Sequence, residues 1–131
     1  MSHKKSQSKP NVNIEKALLK LSFPVKNNIG IDVNLKIKES KHSASKHISK
    51  RYHGLTEKDI ELIPDILSNP FYVVRDPLHK EKKNYYGRRK GRKILFLKIV
   101  TKIVDEKSEE IITIFTTNKI KRWLNWIRYL Q

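Results

Sequence analysis

Residues 29–38 alternate strictly between apolar and polar side chains, and this pattern constrains the fold more than any other feature of the sequence. A period of two places successive side chains on opposite faces of an extended chain, so the pattern predicts a strand with one buried face. The chain is therefore expected to contain a sheet with at least one face turned to the core. The five apolar residues of the pattern are Ile29, Ile31, Val33, Leu35 and Ile37.

The segments on either side of this strand predict helices. A short helix before Pro24 follows from four apolar residues at helical spacing. Residues 43–53 lack helix breakers and stop at Gly54, a residue type favoured just past a helix end, which predicts a second helix. A third begins at Thr56, where residues 56–59 resemble a capping box with Asp59 in place of the usual Glu, and Pro64 is expected to kink or break it. The four apolar residues of the first helix are Ile14, Ala17, Leu18 and Leu21.

The sequence pattern of the second half of the chain predicts mainly strands. A short strand is predicted at residues 71–75, and residues 94–104 and 111–117 form a predicted hairpin around an acidic loop at 105–110. In that hairpin Ile112 and Ile114 are expected to face the core, which would turn Thr113, Phe115 and Thr117 to the other face. On the neighbouring strand, the expected core residues are Leu95, Leu97 and Ile99, and the expected outward residues are Lys98 and Lys102.

The last segment and the order of elements complete the predicted architecture. Residues 119–130 place an apolar stripe on one helical face and predict a C-terminal amphipathic helix. The fold class is therefore predicted as α+β, with N-terminal helices packed on a mainly antiparallel β-sheet. A chain of 131 residues has room for one modest core. We expect a disordered basic arm at residues 1–12 and a single domain at residues 13–131.

The charge of the chain indicates its class of partner. Twenty-nine Lys and Arg against 13 Asp and Glu give a net charge of +16, a field that attracts polyanions. Nucleic acid, an anionic membrane face and an acidic protein are the three candidates. The apolar fraction of 37% is high enough for a folded core, so the chain as a whole is not expected to be disordered.

The cysteine content and the hydropathy of the chain indicate its cellular compartment. The chain has no cysteine, which excludes disulfides and thiolate metal sites and fits a reducing cytosol. The first ten residues lack the apolar stretch of a secretory signal, and the longest apolar run is far too short to span a bilayer. A cytoplasmic location without stable membrane association is therefore expected.

The most basic segment, residues 80–93, predicts a loop that grips single-stranded nucleic acid. It holds eight cations and one acid, with two tyrosines inside the run. Cations contact phosphates, and tyrosine rings stack on unpaired bases. A solvated hairpin end without a ligand is the alternative. The candidate RNA-binding residues, to which Lys98 of the next strand is added, are Lys82, Lys83, Tyr85, Tyr86, Arg88, Arg89, Lys90, Arg92, Lys93 and Lys98.

The predicted helix at residues 43–53 carries a candidate catalytic site. Helical spacing places Lys50 and Arg51 on the same face as His47, and the two cations favour the neutral, basic form of that imidazole. His53 lies at the helix end, where the dipole favours the protonated form. General acid–base cleavage of RNA needs one imidazole of each kind, and Lys50 or Arg51 could stabilise the phosphorane.

Two other interpretations of these histidines remain. The helix could be a basic surface element whose histidines have no catalytic role. A zinc site formed by His42, His47 and His53 is less favoured, because their spacing does not converge on one helical face and no cysteine completes a tetrahedron.

The order of these motifs resembles the small ribonuclease toxins grouped as barnase–EndoU–colicin–RelE-like nucleases, in particular their phage- and mobile-element-associated branch. The resemblance covers roughly residues 41–117 and implies an α+β domain with metal-independent RNA cleavage. It implies catalytic roles for His47, Arg51 and His53, and for Thr113 on the last strand. The motifs that carry it are His47-Ile48, Lys50-Arg51, His53, residues 63–70 at a helix end, the basic hairpins and residues 112–115.

The sequence thus predicts a small endoribonuclease of the toxin type that cleaves RNA through the 2′-OH and needs no cofactor or metal. Lys50 and Arg51 would stabilise the phosphate and Thr113 would hydrogen-bond it, and an acidic antitoxin or immunity protein would be the partner. The alternative is a non-catalytic RNA- or DNA-binding module. A third interpretation, a membrane-surface role for the helix with Trp123 and Trp126, is less favoured because most terminal amphipathic helices cap a core.

Overall fold

The computed structural model of the protein describes residues 9–35 and 54–120, with side chains from residue 14 onward. The predicted helix at residues 43–53 lies outside these ranges, and so does the predicted C-terminal helix apart from its first two residues. The described helices are α1 (Lys9–Lys20), α2 (Glu57–Glu61) and α3 (Ile63–Ser68). The described strands are β1 (Val25–Lys26), β2 (Asp32–Leu35), β3 (Tyr72–Arg75), β4 (Lys82–Arg88), β5 (Phe96–Asp105) and β6 (Ser108–Thr117).

The six strands form one sheet in the order β1-β2-β6-β5-β4-β3. Neighbouring strands run antiparallel except β2 and β6, which are parallel. The predicted α+β class with a mainly antiparallel sheet is confirmed. Within the described ranges, no helix has the length and apolar character needed to cross a membrane.

Local sequence signals set the boundaries of the two central helices. The Thr56 hydroxyl accepts a hydrogen bond from the Asp59 backbone N–H at 3.3 Å, and the Asp59 carboxylate accepts one from the Thr56 N–H at 2.8 Å. This reciprocal pair satisfies two N–H groups that have no partner within the helix. Pro64 lies in the first turn of α3 and separates it from α2. The predicted capping box and the predicted break are both confirmed.

The core lies between the helices and one face of the sheet. Side chains of α1, α2 and α3 pack against buried residues of the central strands, among them Leu97, Ile99 and Ile114, as predicted. The helical members of this core are Ile14, Leu18, Ile60, Ile63, Ile66 and Leu67. The helix α1 begins at Lys9, so the last four residues of the predicted disordered arm belong to it.

The strand predicted at residues 29–38 begins later than the alternation suggests, and residues 36–38 lie outside the described residues. Val33 and Leu35 are buried as expected, but β2 begins only at Asp32. Before it, the Asn27 carboxamide oxygen accepts hydrogen bonds from the N–H groups of Ile29 and Ile31, and Gly30 has a φ of +83°. This turn leaves Ile29 66% exposed. The prediction is wrong at the start of the strand because the side chain of Asn27 binds the backbone that a strand would use.

The predicted hairpin at the end of the chain is present, with one change of register. A bulge pairs Val100 with Thr113 and Thr101 with Ile111, so Ile112 has no partner in the ladder. Ile111 is therefore buried beside Ile114, and Ile112 is only half-buried, against the prediction. Leu95, predicted to face the core, precedes β5 and is half-exposed.

Half of the segment at residues 80–93 is a strand and not a loop. Residues Lys82–Arg88 form β4, which lies between β3 and β5 inside the sheet. The end of the β4–β5 hairpin, residues 88–95, is called the hairpin end below.

Gly87 brings α3 close to β4, and replacing it with alanine is expected to destabilise the protein. A β-carbon at this position would overlap the side chain of Ile66, which is buried in the core. We expect Gly87→Ala to lower the free energy of unfolding by about 1–3 kcal/mol, as overpacking does elsewhere, measured by urea denaturation. Gly54→Ala is the control, since its β-carbon would lie 3.6 Å from its nearest neighbour. Equal stabilities of the two variants would contradict the close approach of α3 to β4.

Candidate nucleic-acid interface

The structure separates the predicted site residues into distinct groups. His47, Lys50, Arg51 and His53 lie outside the described residues. Thr113 and all ten predicted RNA-binding residues are described, but they do not form one surface. Some are buried, some are exposed at the hairpin end, and the rest lie elsewhere on the sheet.

Tyr85 and Tyr86 are fully buried, so the prediction that they stack on bases is wrong. They are consecutive residues of a strand and therefore point to opposite faces of the sheet. The ring of Tyr86 lies 6.1 Å from that of Tyr72, and the Lys98 ammonium lies 5.6 Å from its centre. Tyr85 belongs to the core on the side of the helices. Neither ring presents a face to a ligand on the surface.

A buried carboxylate, Glu109, binds two of the predicted RNA-binding residues. It accepts hydrogen bonds from the Lys83 ammonium at 2.5 Å, the Tyr85 hydroxyl at 2.7 Å and the Thr101 hydroxyl at 2.8 Å. Asn27 donates to the Tyr85 oxygen at 2.8 Å. The side chain of Lys83 is 13% exposed and that of Glu109 is 1% exposed. Lys83 therefore neutralises Glu109 inside the protein, and its predicted contact with RNA is wrong.

This environment keeps the Tyr85 hydroxyl protonated. Burial raises the pKa of Tyr85 above its ordinary value, and the neighbouring Glu109 carboxylate raises it further, while the hydrogen bond from Asn27 partly offsets the rise. The sequence predicts an acidic loop at residues 105–110, and nothing in the local sequence of Glu109 indicates that this residue is buried.

Arg89 is also buried, and its predicted role in binding RNA is wrong. Its guanidinium donates to both carboxylate oxygens of Asp59, at 2.9 and 2.8 Å. It also donates to the backbone oxygens of Ile94 at 2.9 Å and Gly54 at 2.8 Å. Three of these hydrogen bonds join the hairpin end to α2 and to the chain before it, and the bond to Ile94 lies within the hairpin end. Arg89 is thus a structural cation that holds the hairpin end in place.

Four cations remain exposed at the hairpin end, and they lie within six residues of one another. The turn itself contains Gly91, whose φ of +66° is a left-handed conformation that glycine adopts readily. No acidic residue occurs between residues 88 and 95. Within the part of the chain that the structure describes, none of the four forms an ion pair with an acidic side chain. These cations are Arg88, Lys90, Arg92 and Lys93.

An aromatic cluster lies directly beside these cations. The rings of Phe71 and Phe96 stack with their centres 5.5 Å apart, and the Arg88 guanidinium lies 4.4 Å from the centre of the Phe71 ring. Phe71 remains 44% exposed. The sequence gives no sign of this cluster, because Phe71 precedes β3 and Phe96 begins β5, and only the pairing of β3, β4 and β5 brings them together. Phe71, Arg88 and Phe96 are called the aromatic cluster below.

The remaining predicted residues lie on the sheet away from the hairpin end. Lys82 is half-buried at the far end of β4. Lys98 and Phe115 form a ladder pair, with the ammonium 5.0 Å from the ring centre, on the face predicted for them. On the same face, the Thr113 hydroxyl is buried and has no hydrogen-bond partner among the described residues.

The described residues were compared with the side-chain arrangements that hold metal ions in proteins. Among residues 9–35 and 54–120, no group of three or more His, Asp or Glu side chains is placed to hold a metal ion. The three histidines of the weighed zinc site are not among those residues.

Comparison with known proteins assigns no family to the chain. Any functional conclusion therefore rests on the geometry of the exposed cations and the aromatic cluster. The sequence matches no protein-family model, and neither the curated proteins nor the solved structures with which it was compared include a significant match.

Proposed function

We propose that this protein binds single-stranded nucleic acid, foremost RNA, through the hairpin end and the aromatic cluster. The observation that carries the proposal is the stack of Arg88, Phe71 and Phe96 beside the exposed cations Lys90, Arg92 and Lys93. Cations bind phosphates whatever the base sequence of the nucleic acid, and aromatic rings or guanidinium planes stack on its bases. The hairpin end supplies both kinds of contact within one surface.

The electrostatics of this surface favour binding of a polyanion. The exposed cations of the hairpin end form no ion pair with a described carboxylate, so a phosphate would not have to displace one. Arg89, in contrast, is neutralised by Asp59 and keeps the backbone between the cations in a fixed shape. A surface held in place before binding loses less conformational entropy when the ligand arrives.

The aromatic cluster favours unpaired over paired strands. Bases in a duplex already stack on one another, so only an unpaired base can use the exposed surface of Phe71 or the guanidinium plane of Arg88. The preference for RNA over DNA follows the resemblance of the sequence to ribonucleases.

Salt titration separates the two kinds of contact. Replacing Arg88, Lys90, Arg92 and Lys93 together by alanine should weaken binding and flatten the dependence of log K on log salt by about 0.7 per lost phosphate contact. The measurement is fluorescence anisotropy with a labelled single-stranded RNA. Phe71→Ala should instead weaken binding, with a cost of about 1–3 kcal/mol for one lost base stack, and leave the slope unchanged.

A matched variant controls for total charge. Lys16, Lys20, Lys80 and Lys107 are exposed cations elsewhere on the described surface, and their joint replacement by alanine removes the same charge. The slope of this variant should stay close to that of the wild type. An equal loss of slope in both variants would mean that RNA is held by net charge alone, and the hairpin end would lose its role.

A second proposed function is metal-independent cleavage of the bound RNA, with an acidic antitoxin or immunity protein as partner and a cytoplasmic location. Its specific support among the described residues is Thr113, whose buried hydroxyl has no hydrogen-bond partner in that part of the chain. The role that the resemblance gives this hydroxyl is a hydrogen bond to the substrate phosphate. In this proposal the imidazoles of His47 and His53 carry the proton transfers, and Lys50 and Arg51 stabilise the phosphorane.

A further inference from the structure

A cavity of about 640 Å³ opens beside the hairpin end. One side is lined by Lys58, Asp59, Glu61 and Leu62, from α2 and its C-cap, and the other side by residues 89–92 of the hairpin end. Small-molecule sites in proteins have volumes of roughly 300–1,000 Å³, so the cavity is large enough for a nucleotide. It is called the α2 pocket below.

The α2 pocket has a rigid lining. Asp59 and Arg89 both line it, and their side chains are each 3% exposed. The hydrogen bonds from Arg89 to the backbone oxygens of Gly54 and Ile94 connect this lining to the chain before α2 and to the rest of the hairpin end. Because the pair is neutral and Arg89 donates four hydrogen bonds, it fixes the shape of the pocket without giving it net charge.

The charge of the α2 pocket comes from exposed side chains. Lys58, Lys90 and Arg92 line it together with a single exposed carboxylate, Glu61, so positive charge dominates. Leu62 adds an apolar, half-buried surface. Cations beside an apolar wall match a ligand with a phosphate and a flat ring, which is the chemistry of a nucleotide.

The α2 pocket is continuous with the proposed interface, because Lys90 and Arg92 belong to both. We infer that the α2 pocket receives one nucleotide of a single-stranded RNA held at the hairpin end, with its phosphate on Lys58 and Arg92 and its base against Leu62. This inference rests on the proposed function and extends the path of the strand from the hairpin end to α2.

The test uses the full-length protein and its backbone amide signals in NMR spectra. Adenosine 5′-monophosphate should shift the signals of Leu62 and Gly91 and saturate. Ribose 5-phosphate and inorganic phosphate, which lack the base, should bind more weakly. Lys58→Gln should raise the Kd of adenosine 5′-monophosphate by about three- to tenfold, the effect of one lost polar contact. Lys16→Gln removes the same charge from the exposed surface of α1 and should leave the Kd unchanged.

Several results would overturn the inference. If inorganic phosphate bound as tightly as adenosine 5′-monophosphate, the α2 pocket would be an anion site that ignores the base. Absent shifts, or equal Kd values for Lys58→Gln and Lys16→Gln, would also contradict it.

Titration with the single-stranded RNA distinguishes a failure of the inference about the α2 pocket from a failure of the proposed function. If RNA binds and the hairpin-end variant flattens the salt slope, but Leu62 and Gly91 do not respond, the pocket inference alone fails. If RNA does not bind at all, the proposed function fails, and the inference about an RNA nucleotide fails with it. With RNA, Lys58→Gln should lower the salt slope by about 0.7, as expected for one lost phosphate contact with a single strand.

Discussion

Asp59→Ala is expected to lower the free energy of unfolding by about 3–5 kcal/mol, because it leaves the Arg89 guanidinium buried without its counter-charge. Both oxygens of Asp59 bind Arg89, and the same carboxylate caps α2 through the Thr56 N–H. Small domains have stabilities of roughly 5–15 kcal/mol, so this loss would bring the protein close to unfolding. Urea denaturation followed by circular dichroism measures it.

Two further variants make this prediction specific. The exposed pair of Lys26 and Asp32 has a similar distance, 2.7 Å, but Asp32→Ala should cost less than about 1 kcal/mol, since water screens that pair. Combining Asp59→Ala with Arg89→Met removes both buried charges and should recover part of the lost stability. If Asp59→Ala cost no more than Asp32→Ala, the hairpin end would not depend on the buried ion pair.

The wild-type protein is expected to cleave single-stranded RNA in the presence of EDTA and to leave a 2′,3′-cyclic phosphate. Attack by the neighbouring 2′-OH needs no water activated by a metal, and two imidazoles in opposite protonation states should give a bell-shaped pH–rate profile. His47→Ala should lower the rate by about a hundred- to ten-thousandfold, the usual contribution of a general acid or base. RNA affinity should stay nearly constant, because the proposed phosphate contacts lie at the hairpin end. DNA lacks the 2′-OH and should bind without being cut.

The control for the cleavage assay is His79→Ala. His79 is an exposed histidine between β3 and β4, and its side chain has no role in the proposed chemistry. Its replacement should leave the rate unchanged. RNA that stays intact with wild-type protein would reduce the function to binding, and cleavage that stops in EDTA would contradict a metal-independent mechanism.

Features encoded by neighbouring residues could be predicted from the sequence. The capping box joins Thr56 to Asp59, three residues away, and Pro64 interrupts a helix through its own ring. The β5–β6 hairpin follows from two apolar runs around a polar turn. Even there the bulge at Ile112 changed which isoleucine is buried, because the register of a ladder depends on both strands.

The candidate site could be predicted only in part. The sequence identifies residues 80–93 as the most basic segment, and the four exposed cations do come from it. The polar and basic composition of this segment, with Gly87 and Gly91, predicts a loop. Residues 84–87 of β4 are instead buried on both faces of the sheet, so this strand shows no alternation of apolar and polar residues.

The sequence by itself determined how many cations this protein carries, where they cluster along the chain and which short elements form around them. Only the tertiary structure decided which cations stay on the surface. Arg89 forms hydrogen bonds with Asp59, thirty residues away in the sequence, and Lys83 forms one with Glu109 across the sheet. The guanidinium of Arg88 instead packs on the ring of Phe71 at an exposed edge. Whether a cation is buried with a carboxylate or stays exposed depends on which strand or helix packs beside it. That arrangement is set by burial of the whole core and not by any local sequence pattern.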